Sequence, residues 1–177
     1  VSSIFSGCSS LTNLDLSSFN TSKVTNMGYM FEGCSSLTSL DLSNFNTTDV
    51  TNMRSMFRGC RSLTSLDLSN FNTSNVTNMA NMFYYCSSLE QLDLSSFNTS
   101  SVTGMGEMFY YCSKIQTEIN IMNANTTNYS LMFTNALTDP NAYVILGYTA
   151  DTESIATAMK GTCTSTDAKA RIQLKQI

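Results

Sequence analysis

LTSLDLSNFNTTDVTNMRSMFRGCRS, running from Leu37 to Ser62, is one copy of a 26-residue unit, and its recurrence decides the fold. Cys8, Cys34, Cys60, Cys86 and Cys112 keep this period, as do Phe5, Phe31, Phe57, Phe83 and Phe109. A second series, Phe19, Phe45, Phe71 and Phe97, repeats in step with them. Self-similarity at a fixed period of this length marks an array of stacked units, none of which can bury its apolar face alone.

Within the unit, Leu40, Asp41 and Leu42 alternate in, out and in, the pattern of a short strand. Asn46-Thr47-Thr48 follows Phe45 with side chains that bond their own backbone and turn the chain. Val50, Met53, Met56 and Phe57 then recur at about three-residue steps, which predicts a tight helical or 3₁₀ return. Cys60 and Leu63 lead back to the next strand. Strands are expected near Leu14–Leu16, Leu40–Leu42, Leu66–Leu68 and Leu92–Leu94, paired in parallel.

The order L-x-x-L-x-L (Leu37, Leu40, Leu42) and V-x-x-M-x-x-M-F-x-x-C (Val50, Met53, Met56, Phe57, Cys60) resembles the bacterial leucine-rich repeats of the BspA-like surface proteins. The resemblance covers roughly residues 1–133. The Asn that follows the strand in common leucine-rich repeats is replaced by Phe45, with Asn46 one place later. It implies an α/β-type repeat solenoid of right-handed coils with a parallel sheet of short strands. It also implies a secreted or surface-anchored bacterial protein, some of whose relatives bind host matrix proteins.

The ends depart from the period. Val1 aligns with Met27, so the chain is expected to be a piece of a longer protein that starts in mid-coil. Ile115, Ile119 and Ile121 suggest one inserted residue relative to Leu89, Leu92 and Leu94. Phe133 follows Phe109 by only 24 residues, so the last coil is degenerate. The reading is therefore a solenoid over 1–133 and a small C-terminal cap over 134–177, with a strand at Tyr143–Tyr148. Asp151 should cap a helix running to about Lys160 and stopped by Gly161, and Arg171–Leu174 a last strand.

Composition removes many functions. There is no His, so imidazole acid-base chemistry and His metal sites are excluded. Charged residues are only 12%, replaced by 27 Ser, 23 Thr and 18 Asn, while ten Phe, eight Tyr and eleven Met argue for a packed core. A net charge of −4 disfavours nucleic acid as a partner. No apolar run approaches the ~20 residues of a membrane span. No nucleophile-base pair, P-loop or G-x-G-x-x-G occurs, so no catalytic residues, cofactor or metal are expected and the chain is read as a non-enzyme.

Two surfaces remain as candidates for ligand contact. Stacking places Asp15, Asp41, Asp67 and Asp93 in one outward row that ends at Asn120, where a basic partner or a cation could bind, or where Ser and Thr hydroxyls hold the carboxylates. Tyr84, Tyr85, Tyr110 and Tyr111 replace Glu32-Gly33 and Arg58-Gly59 of earlier units and should meet across two adjacent coils. Tyrosine suits recognition because it is amphipathic and loses little entropy on binding. Arg54, Arg58 and Arg61 form a small basic cluster nearby that reads as a solvated face. The five periodic cysteines are expected as buried free thiols, since no C-x-x-C pair exists and the slot is apolar; Cys163 lies outside the register. N-x-S/T triplets begin at Asn20, Asn46, Asn72, Asn75, Asn98, Asn125 and Asn128, mostly as one motif copied.

The expected function is an extracellular binding or adhesion module that recognises a host or matrix protein, or a glycan, through exposed faces. The alternative is a structural stalk or spacer, with binding or catalysis elsewhere in the full-length protein.

Overall fold

A computed structural model describes residues 2–177. Its regular elements lie beyond residue 115: β1 (Gln116–Ile121), β2 (Tyr143–Tyr148), α1 (Glu153–Gly161), α2 (Thr166–Ala170) and β3 (Ile172–Gln176). The strands form one parallel sheet in the order β1-β2-β3, with Gln116 opposite Tyr143 and Val144 opposite Ile172. Among the described residues no helix is long and apolar enough to cross a membrane.

Ahead of β1 the repeat units sit on one another. Phe5, Phe31, Phe57, Phe83, Phe109 and Phe133 form a single file of stacked rings with centroids 5.6–5.8 Å apart. In the unit quoted above, Val50, Met53, Met56, Phe57 and Cys60 are fully buried, as is Leu63, which opens the next. Four of the repeat cysteines have a second role besides filling space. The thiols of Cys34, Cys60, Cys86 and Cys112 donate to the carbonyls of Phe5, Phe31, Phe57 and Phe83 in the preceding unit, at 2.9–3.2 Å. All six cysteines are free, but Cys8 is exposed rather than buried, and Cys163 is buried.

The return segment is not helical. The N–H groups of Met27, Tyr29, Phe31 and Gly33 donate forward, to Asn52, Arg54, Met56 and Arg58 of the next unit at 2.7–2.9 Å. The residues between them, Met30, Glu32 and Cys34, close turns onto Met27, Tyr29 and Phe31 at 3.1–3.3 Å. A helix would send every N–H back along its own chain and leave none for the neighbour. The alternation needs left-handed backbone at fixed slots, and Tyr29, Ser55, Asn81 and Glu107 hold φ between 56° and 60° there.

The Leu-Asp-Leu segments form no continuous ladder, and where they pair it is in parallel and at single positions. Isolated parallel bridges join Ser65 to Gln91, Gln91 to Gln116 and Leu94 to Ile119. The extended run is cut short because the carboxylate of Asp41 accepts the Ser43 N–H at 2.9 Å, and Phe45 N–H turns back to Leu42. The Asn44 amide also takes the carbonyls of Leu16, Ser17 and Phe19, and Asn70 does the same for Leu42, Ser43 and Phe45. Around the corner, Thr47 is buried and its hydroxyl serves both backbone groups of Asn72, accepting N–H at 2.8 Å and donating to C=O at 3.0 Å.

The register at Ile115 is the reverse of the expected insertion. Gln116 bridges Gln91 and Ile119 bridges Leu94, so the last unit is one residue shorter at this point. Thr117 thereby takes the place of Leu92 and is buried with no hydrogen-bond partner for its hydroxyl. Glu118 takes the place of Asp93, so the acidic row continues to Glu118 and does not end at Asn120.

In the C-terminal segment, Thr152 and not Asp151 stands at the N-cap of α1. Its hydroxyl makes no capping bond because it donates to Ile121 C=O at 2.6 Å, tying the helix start to the end of β1. Gly161 is the last helical residue, and β3 starts at Ile172 rather than Arg171. Thr162 and Thr164 stand where a further unit's carbonyls would, their hydroxyls accepting the N–H groups of Phe133 and Asn135.

Candidate functional site

The acidic row is built from turn-closing groups. Asp15, Asp41, Asp67 and Asp93 each accept the backbone N–H of the serine two residues on, at 2.9 Å. Bonds from that serine, its N–H first for Asp15, Asp41 and Asp67 and its hydroxyl first for Asp93, hold all four carboxyls below the ordinary carboxylate range. Glu118 at the end of the row pairs with Lys175 at 2.8 Å. Among the described residues no group of three or more His, Cys, Asp or Glu is placed to hold a metal ion.

The four tyrosines do meet. Tyr84 stacks on Tyr110 with centroids 4.8 Å apart, and Tyr85 on Tyr111 at 4.5 Å, giving two parallel columns one residue apart. The columns extend backward through arginine: the Arg58 guanidinium lies 4.8 Å over Tyr84, and that of Arg61 5.2 Å over Tyr85. Arg58 also pairs with Glu32 of the unit before, at 2.6 Å. Partial desolvation, then the neighbouring phenols, raises the Tyr85 and Tyr110 hydroxyls above their ordinary range.

The backbone under one column is unusual. Gly33 and Gly59 occupy a left-handed slot, φ 72° and 76°, just before the cysteine. Tyr85 and Tyr111 fill the same slot in the next two units at φ 59° and 58°, a conformation that disfavours any residue with a Cβ. Where the slot is glycine the surface is bare, and an open groove of about 660 Å³ runs over Gly7, Gly33 and Gly59. Glu32, Arg58 and Arg61 flank it, and Tyr84 and Tyr85 close one end.

Sequence reading placed the tyrosines together but not the groove. The sequence shows three glycines and then two tyrosines at one fixed slot, but that the arginines lie over those rings, and that the bare slot is a groove, is seen only in the structure.

A family model described as "Mycoplasma protein of unknown function, DUF285" matches residues 1–66 and again residues 40–143. No curated protein and no solved structure matches the chain. The two matched stretches overlap, as a repeated unit should when one model finds it twice. Together they cover every stacked unit, β1 and the first residue of β2, well over half of the sequence. The chain belongs to the DUF285 family.

Proposed function

We propose that this chain is a non-enzymatic binding module of a bacterial surface protein, acting outside the cell on a host or matrix protein or a glycan. Its units form a BspA-like, right-handed leucine-rich-repeat solenoid, and residues 134–177 cap it. The observation that carries the reading is the contrast between core and slot. The series Phe31, Phe57, Phe83, Phe109, the series Cys34, Cys60, Cys86, Cys112 and the series Leu37, Leu63, Leu89 repeat unchanged and fully buried, whereas the outward slot changes through Glu32, Arg58, Tyr84 and Tyr110. A scaffold with no contact to make has no reason to concentrate four tyrosines on two units, two of them in strained backbone.

The spacer reading draws on the acidic row, whose four aspartates are all engaged in their own turns. One screen separates the two. The chain is tested against arrays of matrix proteins and glycans, then as Tyr84→Ala with Tyr110→Ala and as Asp41→Asn with Asp67→Asn, at low and high salt. The binding reading expects a ligand whose affinity falls at least about fivefold in the tyrosine variant. A salt-sensitive loss in the aspartate variant moves the interface to the Leu-Asp-Leu face. Ligand binding unchanged in both folded variants, or no ligand at all, favours the spacer.

A further inference from the structure

We infer that the groove beside the tyrosine columns takes a carboxylated saccharide, a glycan carrying hexuronate residues, with Arg61 as its anion contact. This rests on the surface-binding reading above and names its ligand class. Arg61 is exposed, and among the described residues no carboxylate pairs with it, whereas Arg58 is committed to Glu32. Its guanidinium carbon sits over the Tyr85 ring, 5.2 Å from the centroid, and a guanidinium so placed has N–H donors suited to a carboxylate. The protein as a whole is acidic at −4, yet this groove is lined by two arginines against the single carboxylate of Glu32.

The floor argues for a sugar over a peptide. The N–H groups of Gly7, Gly33 and Gly59 all donate at 2.7 Å to carbonyls of the following unit, so no backbone edge is open to pair with an incoming polypeptide. The groove offers side chains instead. Glu32 accepts, Arg58 and Arg61 donate, and the hydroxyls of Ser35, Tyr84 and Tyr85 do both. That mixture matches the vicinal hydroxyls of a saccharide. The volume of about 660 Å³ falls within the roughly 300–1,000 Å³ typical of small-ligand clefts.

The test is calorimetric titration of the whole chain with a hexasaccharide of alternating glucuronate and N-acetylglucosamine. Its carboxyl-reduced neutral form and a hexaglutamate peptide serve as comparisons. Saturable binding of the acidic hexasaccharide is expected, weakened at least about tenfold by carboxyl reduction and by Arg61→Gln, and reduced by added salt. Arg54→Gln, which removes the same charge from the same unit outside the groove, should change affinity less than about twofold. Both substitutions are at exposed residues, and thermal melts confirm that each variant is folded. No saturable binding, binding indifferent to Arg61→Gln, an equal loss with Arg54→Gln, or hexaglutamate binding as tightly as the sugar would each overturn the assignment. The screen described above fails independently: a ligand found there whose affinity survives Arg61→Gln keeps the surface-binding reading and removes this one.

Discussion

Thr47→Val isolates the corner bond that joins one unit to the next. The substitution conserves shape, so it opens no cavity, and Thr47 is only 1% exposed, so water does not replace what is lost. The hydroxyl accepts the Asn72 N–H at 2.8 Å and donates to the Asn72 C=O at 3.0 Å. Two ordinary hydrogen bonds contribute about 0.5–1.5 kcal/mol each, and the stranded Asn72 groups add some of their desolvation cost of about 1–3 kcal/mol. The sum is about 2–3 kcal/mol, or roughly 4–12 °C in melting temperature for a chain of this size. Thr48→Val is the control: Thr48 is exposed, its hydroxyl makes no bond among the described residues, and the change should stay within about 0.5 kcal/mol. Urea unfolding followed by circular dichroism measures both, since the chain has no Trp. Equal midpoints for the two variants at unchanged slope would refute the assigned role of the buried hydroxyl.

Other outcomes follow from single features. At pH 8 the folded, unreduced protein should expose one fast-reacting thiol, Cys8, with the remaining five released by denaturant; a mass showing a bridge between repeat cysteines would contradict the free-thiol arrangement. Burial pushes the Cys34 thiol up to about 11, from an ordinary 9.0, so the unfolded chain ionises first. Stability from this group is complete below about pH 9 and lost as pH rises toward 11, and Cys34→Ala should flatten that region of an alkaline stability profile. Gly59→Ala should cost about 1 kcal/mol from its φ of 76° alone, because the added Cβ meets Gly33 at an ordinary 3.6 Å; an unchanged urea midpoint would show the slot is not left-handed in solution. The lowered carboxyls of Asp41 and Asp67 contribute stability above their ordinary 3.8 that is lost as pH falls through their folded values, so Asp41→Asn with Asp67→Asn should lower stability at neutral pH and converge with the parent in acid, giving a shallower acid limb.

The buried set was legible in the 26-residue period: Val50, Met53, Met56, Phe57 and Cys60 all lie in the core, as the apolar spacing demands. The path of the return was not, because apolar residues three apart fit a helical turn and a chain of hydrogen-bonded turns equally well. The distinguishing mark is Asn52, whose side chain accepts the Arg54 N–H at 2.9 Å and starts the turns; the same residue precedes the first Met at Asn26 and Asn78. At Ile115 hydrophobicity misled outright. Matching apolar residues assigns Ile119 to Leu92, while backbone pairing assigns it to Leu94 and accepts a polar Thr117 in the core. The tyrosine cluster was visible from its period. The groove was not, since it is defined by side chains that glycine lacks.

The alternation of forward and backward N–H groups gives the stack a stiff side and a compliant side. Along the return, four forward backbone bonds cross each junction from Met27 to Tyr111, all aligned with the direction of stacking. Across the Leu-Asp-Leu face the junctions from Leu16 to Leu68 hang on side-chain amides and hydroxyls, those of Asn44, Asn70, Thr47 and their counterparts. Tension along the stack therefore does not separate neighbouring units evenly. It hinges them about the backbone-bonded edge and opens the aspartate-bearing face first, so a load transmitted through this protein bends it before it breaks it.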